Sequence, residues 1–213
     1  MVFIKAEKVS MKNSLEQLKS IIKEGFLKDV VPKDLLDELV EYADFRNELL
    51  KESDRGCALL AASHLDFLLT KMLKSKLLGS NKHLDSLFDN NGPLGTFSSK
   101  ILMSFSLGLI SKVELDDLQI IRKIRNEFGH SISIINFESD KFKGQCHNLQ
   151  LVHGSQNNPR SKFITSVGFI SGGLISETFK KKKFESVNEF NDEKLDQIKN
   201  LLNDIESHIS FKV

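Results

Sequence analysis

The sequence predicts an all-α protein, a multi-helix bundle of antiparallel helices. Apolar residues recur at three- and four-residue spacing in stretch after stretch, the period of one buried helix face. Only three prolines interrupt the 213 residues. Serine and threonine stand where helices would start, and glycine stands where they would stop.

The length suits one domain with appendages. Hydrophobic residues make up 40% and charged residues 28%, ordinary values for a globular chain. A formal net charge of +1 excludes a strongly basic nucleic-acid binder as a class and leaves room for a local basic site. Tryptophan is absent, and phenylalanine (16, against one tyrosine) must carry the aromatic packing.

In order, residues 11–25 read as an amphipathic helix with Leu15, Leu18, Ile21 and Ile22 inward. Pro32 suits a first helical turn, and Leu36, Leu39, Val40, Ala43 and Leu50 mark a helix over 33–52. Ser53 is the expected N-cap of the most apolar helix, running to about Leu78. Its face is Cys57, Ala58, Ala61, Ala62, Leu65, Leu68, Leu69 and Met72, and the small residues there permit close helix approach. A short helix is expected over His83–Asp89, then a turn N-N-G-P-L-G capped by Thr96 and followed by a helix. Gly92 and Gly95 precede that helix, where backbone N–H groups can cradle an anion; without the Lys-Ser/Thr of a P-loop a structural turn is the favoured reading. The next helix runs from Lys112 to Gly129, with Asp116 and Asp117 read as wet-face charges. Ile132–Phe137 reads as a loop or a short extended piece, Asp140–Leu151 as one short helix, and His153–Arg160 as a polar loop. Ser161–Phe179 reads as a helix despite Gly168, Gly172 and Gly173. Lys180–Lys183 is a four-lysine run, most simply a solvated charge run and in its sharper reading a contact for a phosphate backbone. Asn191–Ser210 reads as a last amphipathic helix with Leu195, Ile198, Leu201, Leu202 and Ile205 inward.

Cys57 and Cys146 lie far apart, and Cys57 sits in an apolar run as a small core residue. No Cys/His set has zinc spacing, so neither a metal nor a cofactor is expected. No segment approaches 18 uncharged apolar residues and no leader is evident, so a cytoplasmic location without membrane insertion is the expectation. His64, beside the apolar face, reads as a satisfied interface or core histidine.

The chemistry concentrates in Q-I-I-R-K-I-R-N-E-F-G-H-S, residues 119–131. Leu118, Ile121, Ile124 and Phe128 form the apolar stripe, and Arg125 falls inside it by helical angle. A guanidinium pointing inward needs an acid, a carbonyl or a phosphate. Asp54, in the first turn of its helix and facing inward, reads either as a capping or dipole-matching acid or as the partner of Arg125, with Arg55 beside it in the same polar cluster. Gly129 is placed to end the helix in a left-handed turn, swinging His130 back towards Arg125 with Asn126 nearby.

R-N-x-x-x-H at a helix end resembles the R-x(4–6)-H motif of HEPN domains, which are often metal-independent ribonucleases. Three segments in order, the last of which contains this motif, resemble the mannitol operon repressor (MltR-like) family. They are E-S-D-R-G-C-A-L-L-A-A-S-H-L-D (52–66), N-G-P-L-G-T-F-S-S-K-I-L-M-S-F-S-L-G-L-I-S (91–111) and L-Q-I-I-R-K-I-R-N-E-F-G-H (118–130). Phe137–Leu151 and the R-x-x-F of Arg160–Phe163 extend the likeness over roughly residues 45–175. This second resemblance implies an all-helical domain with a role in transcriptional control. No helix-turn-helix with a basic recognition helix is evident, so contact with a protein partner, not direct sequence-specific DNA binding, is expected. The expected layout is an N-terminal helical extension (1–45), the MltR-like domain (46–178), and the basic run with the C-terminal helix (179–213).

Two functions follow. In a homodimeric regulator acting by protein contact, Asp54, Arg55 and Arg125 form a structural polar cluster, and Asn126 and His130 close the helix end. In a ribonuclease acting on RNA, His130 is the general acid or base, Arg125 stabilises the phosphoryl charge and Asn126 orients His130.

Overall fold

The computed structural model describes residue 20 and residues 32–152, 158–180, 184–185 and 192–210. The helix expected over 11–25, Ser20 apart, lies outside these, as do Lys181–Lys183. The chain divides into two compact units, residues 1–183 and 184–213.

The first unit holds seven helices among the described residues: α1 (Lys33–Lys51), α2 (Asp54–Lys76), α3 (Asn81–Phe88), α4 (Phe97–Ser106), α5 (Lys112–His130), α6 (Asp140–His147) and α7 (Pro159–Phe179). The second holds α8 (Asp192–Ser210). No strand occurs among the described residues, and the fold is the all-α bundle that the periodicity predicts. The expected boundary at residue 45 falls within α1, which packs on α2 and α7.

α2 is the axis of the bundle, packed against α7, α5, α4 and α1. Ser53 caps it by accepting the Gly56 N–H at 3.0 Å. Cys57, Ala58, Ala61, Leu65, Leu69 and Met72 are all fully buried. The alanines bring the neighbouring helices close, and burying each leucine or methionine stabilises by roughly 1.5–3 kcal/mol. Among the described helices α2 alone is long and apolar enough to cross a membrane, yet its apolar side forms this core. Phenylalanine closes the core's far end, as the composition requires. Phe128 stacks on Phe142 with centroids 4.4 Å apart, and Phe137 leans on Phe128 and Phe163 at 5.1 Å each.

Thr96 and Ser99 form a reciprocal capping box at α4, and Ser111 and Glu114 form another at α5. Gly92 and Gly95 do belong to a tight turn. A Cβ on either would overlap backbone carbonyls, that of Leu87 for Gly92 and that of Asn90 for Gly95. α7 starts two residues earlier than expected. Pro159 occupies its first turn, and Asn158 accepts the Ser161 N–H at 2.9 Å.

Three expectations are corrected. Gly129 does not turn the chain: α5 continues through His130, and the Ser131 N–H still bonds Glu127 O at 3.0 Å. Asp117 is not a wet-face charge but fully buried. It accepts the amides of Gln150 and Leu151 at 2.9 Å each and the Ser166 hydroxyl at 2.7 Å. That explains why α6 stops at His147, short of Leu151, since amides turned onto Asp117 cannot continue a helix. In α8, Leu195, Ile198, Leu201, Leu202 and Ile205 are 41–60% exposed, not inward.

Candidate functional site

Two polar arrangements flank the core. The first is a lock at the start of α2. Asp54 Oδ1 pairs with Arg160 Nη1 at 2.6 Å, and Asp54 Oδ2 accepts the Phe137 amide at 2.9 Å. Arg160 Nη2 also donates to Glu52 O at 2.5 Å and Leu49 O at 3.2 Å, reaching the carbonyls where α1 ends. Arg55 Nη2 donates to Ser131 O at 2.8 Å and Ser133 O at 3.0 Å, pinning the loop after α5. Asp54 and Arg55 thus hold different partners, and the arginine that Asp54 holds is Arg160, not Arg125.

Arg125 is exposed and donates to Asn126 Oδ1 at 3.0 Å. Helical angle fixes the direction of Cβ alone, and a long stem can carry a guanidinium away from the stripe. It emerges into the second arrangement, a cleft of about 440 Å³ between α2, α5 and the start of α4. Ala62, Ser63, Asp66, Gly95, Thr96, Phe97, Ser98, Arg122, Arg125 and Asn126 line it. Asp66 grips the buried Lys100 ammonium with both oxygens, at 2.8 and 2.9 Å, which offsets its charge. His130 is exposed and does not line the cleft. On a continuous helix, five residues place it about 140° around the axis from Arg125. The structure therefore brings Arg125 and Asn126 together and leaves His130 apart. Sequence reading missed Arg122, although its three-residue spacing from Arg125 puts both on one face. It also missed Asp66 and Lys100, whose pairing spans 34 positions and leaves no local trace.

Other reactive groups are quiet. Burial pushes both cysteine thiols, Cys57 and Cys146, up to about 12, which keeps them protonated. His64 stacks on Phe45 with centroids 3.8 Å apart, and its Nε2 is buried without a partner among the described residues. It is a half-buried histidine with an unpartnered ring nitrogen, not a satisfied one. Burial lowers its pKa to about 4, against a weaker pull upward from Glu38. No group of three His, Cys, Asp or Glu side chains is placed to hold a metal among the described residues.

Fold and site together define a helical domain with two guanidiniums and a helix start lining one cleft. The chain belongs to the mannitol repressor family, whose model matches residues 32–168, from the start of α1 into α7. It is 29% identical over 69 residues to the mannitol operon repressor of Escherichia coli (strain K12), covering 32% of this chain and 35% of that protein. The mannitol operon repressor of E. coli O6:H1 matches with the same figures. The chain thus spans about a third of the length of the curated relatives it matches. Among solved structures, the X-ray structure of the MtlR-HPr complex from E. coli aligns with a TM-score of 0.49 and 20% identity, over 63% of this chain and 98% of that one.

Proposed function

We propose that this chain is a transcriptional regulator of the mannitol-repressor type that acts through contact with another protein. The observation that carries this is the family match over residues 32–168, which takes in the α2 axis, the polar lock and the cleft. The helices around the cleft are fixed by the core and offer no separate basic recognition helix among the described residues, so partner contact is the route this reading favours. The test is genetic and biochemical. Deleting the gene should raise a small set of transcripts, and restoring it should lower them. The purified chain should form a complex with a regulatory protein from the same cell. HPr, which the E. coli complex joins to MtlR, is the first probe. Unchanged transcripts on deletion would overturn the regulator reading.

A homodimer working in the cytoplasm is part of the same proposal. Leu195, Ile198, Leu202 and Ile205 of α8 alternate three- and four-residue spacing, the pattern of a two-helix seam. Light scattering should give twice the 24.1 kDa chain mass. No observation favours the ribonuclease reading, since the exposed His130 does not face the cleft that Arg125 lines.

A further inference from the structure

We propose that the cleft between α2, α4 and α5 is a binding site for the phosphoryl group of a small phosphorylated molecule. Three features converge on it. Arg122 and Arg125 line the cleft, and neither meets a carboxylate among the described residues. Arg122 Nε donates to the neutral Gln119 Oε1 at 3.0 Å, and Arg125 Nη1 to the neutral Asn126 Oδ1 at 3.0 Å. Guanidiniums beside acids normally pair with them, and these two keep most of their donors free.

Secondly, α4 starts at the same cleft. The Thr96 hydroxyl caps the Ser99 amide, while the amides of Phe97 and Ser98 meet no acceptor among the described residues. Those two N–H groups, at the positive end of the helix, supply neutral donors opposite the two cations. Thirdly, the carboxylate in the lining is already matched, because Asp66 holds Lys100 with both oxygens. Counting Arg122, Arg125, Lys100 and Asp66, the site keeps an excess of two positive charges, which suits a phosphate dianion.

The size limits the ligand. A volume of about 440 Å³ lies in the range of small-molecule sites, roughly 300–1,000 Å³. The Ser63 and Ser98 hydroxyls and the Asn126 amide sit in the lining and suit the hydroxyls of a polar metabolite. The phosphoryl group could come from a phosphate ester or from inorganic phosphate, and the two are separable.

The experiment is titration of the full chain, in buffer free of phosphate and sulfate, by calorimetry and by amide chemical shifts. The probes are inorganic phosphate, glycerol 3-phosphate, glucose 6-phosphate and an unstructured RNA oligonucleotide. Saturable binding of the phosphate or of an ester should shift the Phe97 and Ser98 amides and weaken with added salt. Tighter binding of the esters identifies a metabolite as the source, and equal binding identifies phosphate itself. Arg125→Ala and Arg122→Ala should each weaken affinity about 10–100-fold, the worth of one charge-assisted hydrogen bond. Lys123→Ala, exposed on the same helix and outside the lining, should leave it unchanged. Because both arginines reach open space, their variants should fold as the wild type does, which circular dichroism checks. The proposal is overturned by small-probe affinities weaker than about 1 mM, by arginine variants that bind like wild type, or by RNA binding where no small probe binds.

Discussion

Asp54 and Arg160 stand 106 positions apart, yet together they close the corner where α1 ends and α2 and α7 begin. The carboxylate has the Phe137 amide as its second donor, so removing either partner strands more than one group. Both side chains remain about a quarter exposed, which moderates the loss. Arg160→Ala should lower stability by about 2–3 kcal/mol, whereas Arg125→Ala should stay within about 0.5 kcal/mol, the range of a surface change. Urea melts of both variants check this contrast, and equal losses would contradict it. His64 gives a pH signature at the same scale. Its folded pKa of about 4 lies below the ordinary 6.5 because burial disfavours the charged ring. The unfolded chain therefore binds the extra proton first as pH falls. The stability from a neutral His64 is complete above about pH 6.5 and is lost progressively down to about pH 4, by up to about 3 kcal/mol. His64→Phe, which keeps the stack on Phe45, should flatten that part of the stability curve between pH 7 and 5. A curve parallel to wild type would show that His64 does not sense pH.

At the level of elements, the sequence showed most where helices announce themselves locally. The Ser53 and Thr96 caps are where the pattern puts them, and the limits of α1, α5 and α7 fall within about two residues of expectation. What it hid depends on tertiary contact. Asp117, Ile121, Ile124 and Phe128 share one stripe, so an inward acid was visible in the spacing; its partners, the amides after α6 and Ser166, were not. Arg125 misled for the opposite reason, because helical angle fixes Cβ and a long side chain ends elsewhere. Gly129 misled because glycine permits a left-handed turn without requiring one. A direct check follows. A Cβ at Gly129 would sit 3.6 Å from Leu59 Cδ2, an ordinary contact, in backbone that is helical. Gly129→Ala should therefore raise stability by about 0.5–1 kcal/mol. A loss in thermal or urea melts would mean that the residue turns the chain after all.

For the whole molecule, charge and architecture bear on whether this chain binds DNA by itself. Thirty basic residues face twenty-nine acidic ones, and several basic side chains are engaged inside the first unit. Lys76 is buried and donates to Lys180 O at 2.7 Å, Lys100 is held by Asp66, and Arg160 and Arg55 serve as locks. Lys180, first of the four-lysine run, pairs with Glu177 at 2.6 Å and caps α7. A duplex binder neutralises many phosphates at once and loses affinity steeply with salt. Such a binder needs many free cations on one face, and these engagements hold several of the chain's basic groups within the first unit. The purified chain should therefore show no sequence-specific shift of the promoters that respond to its deletion. Mobility-shift and anisotropy titrations between low and physiological salt measure this. Binding to one promoter at about 10⁻⁸ M or tighter, with a steep salt slope and without any partner present, would place the DNA contact on this chain and reverse the argument from its charge.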